Sequence, residues 1–87
     1  MIVLRLYVTG QTPSAERAIA AARALQDELG AARVKLDIID VLEDPGAALN
    51  DDVYATPSIF RLSPEPVKRL FGDLSQKEML MVGLELS

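Results

Sequence analysis

The side chains that could do chemistry here are carboxylates, hydroxyls, lysines and two tyrosines, Tyr7 and Tyr54, and none falls in the spacing of a triad or dyad. Cysteine and histidine are absent. Their absence removes the thiol nucleophile, dithiol exchange, a disulfide scaffold, the commonest general base and the commonest metal ligand. Asp44 with Asp51 and Asp52 could attract a cation, but the three lack calcium-loop spacing, so a solvated loop is the expectation. Tyr7 reads as a packed aromatic on a strand face. No catalytic residue, metal site or cofactor is expected, and the chain reads as a binding protein, not an enzyme.

The elements that must position these groups come from one small domain spanning residues 1–87. The 87 residues are 49% hydrophobic and 25% charged, a globular composition with a thin core. Nine Lys and Arg against 13 Asp and Glu give a formal charge of −4, the wrong sign for a phosphate-backbone binder, so nucleic acid is disfavoured. No apolar run near either terminus approaches the roughly 20 residues needed to cross a bilayer, and Arg5 sits within a strand-like run, not a signal segment. A cytoplasmic protein with no membrane partner is expected.

Ile2, Leu4, Leu6 and Val8 alternate with Val3, Arg5 and Tyr7, the period of a half-buried strand. Thr12 or Ser14 can cap the next element, Pro13 suits its first turn, and Ala15, Ala18, Ile19, Ala22, Leu25 and Leu29 recur at helical spacing until Gly30. Val34 to Val41 reads as a second strand, with Ile38 and Ile39 adjacent as for a strand flanked on both sides. Strand, helix and strand imply a right-handed crossover with parallel pairing. Asp44-Pro45 opens a helix of two turns at most.

Ser58 to Leu62 and Val67 to Phe71 form a hairpin across the turn Ser63-Pro64-Glu65-Pro66, broken by Gly72-Asp73. Arg61, Lys68 and Arg69 mark either a solvated strand face or a patch for an anionic partner. Ser75 with Glu78 makes a capping box and Leu74 with Met79 a hydrophobic staple, which write a helix start at Ser75. Its continuation satisfies two periods. Met79, Val82 and Leu86 make a helical stripe, while Leu80, Val82, Leu84 and Leu86 alternate as a strand, and Gly83 costs a helix about 1 kcal/mol relative to Ala.

The order β-α-β-α-β-β-α with Thr-Pro ahead of a hairpin is that of a thioredoxin-like α/β domain, and the residues carry a closer likeness. Leu6-Tyr7-Val8-Thr9-Gly10, Thr12-Pro13, Ile39-Asp40-Val41-Leu42, Ala55-Thr56-Pro57, Pro66-Val67, Gly72-Asp73-Leu74-Ser75 and Gly83-Leu84-Glu85-Leu86 together resemble the KaiB family of circadian-clock proteins. Each segment is weak alone; their order and mutual spacing are specific. The resemblance implies a non-enzymatic regulator with two folds: a dimeric or tetrameric ground state that differs in the C-terminal half, and a thioredoxin-like monomer that docks on a KaiC-type ATPase. It also implies fold-switch roles for Gly83 and Glu85, and it matches Pro57 to the thioredoxin-like cis-proline. Pro57, Pro64 and Pro66 are candidates for slow cis/trans steps.

The partner surface implied by the resemblance lies on or near Asp37, Glu43 and Asp52, while Arg17 and Arg23 on a flank of the first helix are either solvated or in contact with the partner. At the three acidic positions cyanobacterial members are expected to carry lysines, so the sign of charge is reversed. Glu65 replaces one proline of the family's turn, Glu85 stands where Asp is usual, and the acidic tail has no counterpart before Ser87. On intrinsic propensity, Glu85 and a Gly83→Ala substitution both favour the helical form. The alternative reading is a thioredoxin-like interaction module in a sensor-kinase or stress pathway without a clock. A glutaredoxin- or peroxidase-type enzyme is nearly excluded by the missing cysteines.

Overall fold

A computed structural model describes residues 1–53 and 55–86; Tyr54 and Ser87 lie outside the described residues. The elements run β1 (Ile2–Val8), α1 (Pro13–Leu29), β2 (Val34–Asp40), α2 (Pro45–Asn50), β3 (Ser58–Ser63), β4 (Lys68–Phe71) and α3 (Lys77–Gly83). The sheet order is β2-β1-β3-β4, with β2 parallel and β3 antiparallel to β1, and β4 antiparallel to β3. The parallel pair and its helical crossover follow from the β1-α1-β2 order. β2 pairs with β1 alone and stands at an edge, so adjacent Ile38 and Ile39 do not mark a strand flanked on both sides. Both are only half-buried.

α1 is the element most completely written locally. The Thr12 hydroxyl accepts from the Ala15 amide at 3.1 Å, Pro13 occupies the first turn, and Gly30 closes the helix at φ 100. Its small face of Ala15, Ala18, Ala21 and Ala22 with Leu25 lies against Leu4, Leu6 and Val8, and all of these are buried. An alanine face lets helix and sheet approach closely, which is how so short a chain closes a core. Ile59, Leu74, Leu80 and Leu84 complete that core from the C-terminal half.

α3 covers the other end of the same sheet face and departs from its local signals. It begins at Lys77 with Gln76 as its cap, and no side chain caps it. The Ser75 hydroxyl and amide both turn back to the Asp73 carboxylate, at 2.6 and 3.1 Å, so the Ser75–Glu78 capping box does not form. Leu74 is buried while Met79 is 60% exposed, so they do not pack as a staple. The buried stripe is Leu80 and Leu84, four apart, with Val82 72% exposed. The segment is helical, but the helical stripe of Met79, Val82 and Leu86 read from sequence is not the buried one, because the sheet and α1 meet the face that carries Leu80 and Leu84.

Candidate functional site

The opposite sheet face carries Arg5 and Tyr7, and there the structure finds a polar junction that sequence spacing concealed. The Arg5 guanidinium donates to the Asp51 carboxylate at 2.9 Å, and the buried Tyr7 hydroxyl donates to the same carboxylate while lying 3.1 Å from the Ala47 carbonyl oxygen. Burial, then the hydrogen bond to Asp51, pushes the Tyr7 pKa up; the Tyr7 hydroxyl, then Arg5, holds the Asp51 carboxyl below its ordinary range. α2 has no buried side chain, so this junction fastens it to the sheet. Asp44 is likewise occupied, accepting from the Ala47 amide at 3.2 Å. Among the described residues no group of three metal-ligating side chains gathers.

The C-terminal half is organised around Arg61. It stands opposite Leu4 in register, on the face covered by helices, and is 5% exposed. One guanidinium nitrogen donates to the Leu84 carbonyl at 2.8 Å and reaches that of Glu85 at 3.4 Å; the other donates to the Pro66 carbonyl at 2.8 Å. Neither sequence reading of Arg61, a solvated face or an anionic-partner patch, survives that burial. Lys68 shares its face and pairs with Glu85 at 3.0 Å, whereas Arg69 lies on the opposite face, 5.9 Å over the Phe60 ring. Ile59 and Arg61 are two apart on one strand, and that alternation is the signal that places Arg61 inward.

Gly83 and Glu85 meet this cluster for reasons other than helix propensity. A Cβ on Gly83 would lie 2.5 and 2.8 Å from the two Leu70 methyl carbons and 3.1 Å from Leu70 Cγ, so β4 packs directly on the glycine. Gly83→Ala therefore meets Leu70, contrary to the propensity argument. Glu85 lies beyond the helix at φ 55. Its amide bonds to Val82 at 3.1 Å and that of Leu86 to Met81 at 2.8 Å, a Schellman closure whose left-handed residue is normally glycine. Helix-interior propensity does not govern that position, and glutamate tolerates it less well than aspartate or asparagine. Lys68 holds the Glu85 carboxyl below its ordinary range.

The other residues singled out from sequence are dispersed. Pro57 is buried behind a cis Thr56–Pro57 bond and shares a cleft with Thr9, Thr12 and Ser14 at the start of α1. Pro64 and Pro66, also cis, form the hairpin turn, and the Pro66 carbonyl accepts from Arg61. Arg17 and Arg23 are exposed on α1, with the Arg17 charge near enough to help lower the Asp73 pKa after the Ser75 hydrogen bonds. Asp37 lies 4.0 Å from Arg5 on edge strand β2. Glu43 and Asp52 are exposed beside α2, Asp52 at φ 54. Arg5, Asp51 and the inward Arg61 are the structural residues that sequence reasoning missed.

With this geometry in place, similarity to known proteins is informative. The KaiB domain model matches residues 5–86. The circadian clock oscillator protein KaiB of Microcystis aeruginosa is 39% identical over 84 residues, covering 97% of this chain and 81% of that one.

The chain belongs to the KaiB family.

Among solved structures, the N-terminal domain of SasA from Synechococcus elongatus superposes with a TM-score of 0.74 at 20% identity, covering 99% of this chain and 85% of that one. Mitochondrial thioredoxin 3 from Saccharomyces cerevisiae gives 0.77 at 15% identity, covering 97% and 76%. This KaiB-family chain thus has the thioredoxin-like arrangement expected from its element order. The curated KaiB relatives carry the name of clock oscillator proteins and not of an enzyme. No helix among the described residues is long and apolar enough to cross a membrane.

Proposed function

We propose that this KaiB-family chain is a non-enzymatic cytoplasmic regulator that binds a KaiC-type ATPase in the thioredoxin-like form described here and modulates its phosphorylation and ATPase cycle. The observation that carries this reading is that residues 80–83 are helical and 84–85 turn, where the alternative period would make a strand. Gly83, Glu85, Pro57, Pro64 and Pro66 are the residues assigned to exchange with a dimeric or tetrameric ground state. Arg17, Arg23, Asp37, Glu43 and Asp52 are assigned to the partner surface. A competent form populated at about 1% would put the gap between folds near 2.7 kcal/mol and weaken apparent binding about a hundredfold.

The test is a pull-down against the KaiC-type ATPase of the same organism, with and without nucleotide. Capture in at least one nucleotide state is expected; no capture in any state overturns the reading. The exposed carboxylates of Glu43 and Asp52 favour one alternative in that event, an interaction module in a non-clock signalling or stress pathway, such as that of a sensor histidine kinase.

A further inference from the structure

We propose that Arg61 is a latch: a single buried guanidinium that fastens the end of α3 to the hairpin turn and gates the opening of the C-terminal half. Its two terminal nitrogens reach segments 23 and 5 residues away in the chain at the same 2.8 Å, the Leu84 carbonyl at the close of α3 and the Pro66 carbonyl in the turn. The last carbonyls of a helix have no donor within it and carry the negative end of its dipole, so an inward cation from β3 answers both needs. Among the described residues, the side-chain hydrogen bonds and ion pairs joining residues 77–86 to the hairpin are those of Arg61 and the Lys68–Glu85 pair. The Glu85 side chain of that pair is 62% exposed, so water and salt screen it, whereas Arg61 is buried, as is its bond to the Leu84 carbonyl, and is screened less.

The shape of the group matters as much as its charge. A planar fork bonds two carbonyls from different segments simultaneously; an ammonium on a flexible stem is a point charge that cannot span both with the same geometry. When the fork is gone, the carbonyl of buried Leu84 and that of Pro66 in the exposed turn lose this donor, and the segments they belong to separate more readily than the rest of the molecule. β1, α1 and β2 make none of these contacts. The latch is a property of this fold; its consequence for partner capture rests on the reading under Proposed function.

Amide hydrogen exchange of the full chain, followed by NMR, compares wild type with Arg61→Lys and Arg61→Met. In Arg61→Met the amides of Leu80, Leu84, Glu85 and Leu86 should exchange roughly tenfold to a hundredfold faster, one charge-assisted hydrogen bond at about tenfold per 1.4 kcal/mol. Those of Leu6, Ala22 and Leu25 should be unchanged, and Arg61→Lys should fall between. Equal acceleration throughout would make Arg61 a general brace and overturn the latch, as would wild-type exchange in either folded variant. If Arg61→Met does not fold, Arg61→Lys carries the same test. Capture by the KaiC-type ATPase separates the two claims: selective exchange with undiminished capture keeps the latch and overturns the link between this fold and binding.

Discussion

The β1-α1-β2 half and the β3-β4-α3 half share one core and are held by different means. In the first, a 17-residue helix has its own cap at each end and lays five buried side chains on the sheet. In the second, a 4-residue strand and a 7-residue helix carry little local encouragement: no side chain caps α3, and one buried residue lies within it. Helices that short are marginal in water and depend on tertiary contact. β3 is laddered to β1 and places Ile59 in the core; beyond it, β4 and α3 are held by a few specific links, namely Leu74, Leu80 and Leu84 in the core, the Lys77–Glu28 pair, Leu70 against Gly83, and Arg61 on two carbonyls. A region fastened at few points can open while its neighbour stays closed.

The strongest way to break this comparison is to cut a fully buried leucine in each half. Leu25→Ala and Leu84→Ala should each cost about 2–5 kcal/mol at their sites. Leu25→Ala should lower the urea midpoint of the whole chain and raise exchange at every element. Leu84→Ala should raise exchange mainly across β4 and α3, and equal patterns in the two variants would erase the distinction. A smaller effect sharpens it. Gly83→Ala should destabilise the C-terminal half by about 1–3 kcal/mol through crowding, although alanine is the better helix former. Leu70→Ala in the same chain should recover part of that loss. A double-mutant cycle with no coupling between the two positions would show that β4 does not rest on the glycine.

The smallest effect belongs to the junction that holds α2. The folded pKa of Asp51 lies below its unfolded value, so its contribution is complete above the ordinary carboxylate range near roughly 4 and is lost as pH falls through the folded value. Asp51→Asn should therefore flatten the acid limb of stability against pH, measured as urea midpoints from neutral pH downward. An acid limb of unchanged slope would mean that the carboxylate does not couple to Tyr7 and Arg5. This perturbation should loosen α2 before it touches either half of the core.

Legibility followed the range of the interaction. Thr12, Pro13 and Gly30 act within a turn or two of chain, so α1 could be placed from sequence with its caps. Alternation placed β1, and the proline-bearing turn at Ser63-Pro64-Glu65-Pro66 placed the hairpin. The same kind of local signal misled at Ser75, because Asp73, two residues earlier, accepts its amide and hydroxyl and leaves none of the reciprocal box to form. The junction of Arg5, Tyr7 and Asp51 was invisible because its members lie 44 and 46 residues apart.

The sequence by itself determined the β-α-β opening, the order of elements and the family, since those rest on local caps, on side-chain period and on motifs at fixed spacing. Tertiary structure alone decided that β2 is an edge, that the final segment is a helix resting on Leu80 and Leu84, and that the Arg61 guanidinium finds the Leu84 and Pro66 carbonyls. The physical reason is that a segment with two admissible periods has no intrinsic preference strong enough to choose. The choice falls to whichever arrangement gives its apolar side chains a surface and its last carbonyls a donor, and both come from residues distant in the chain.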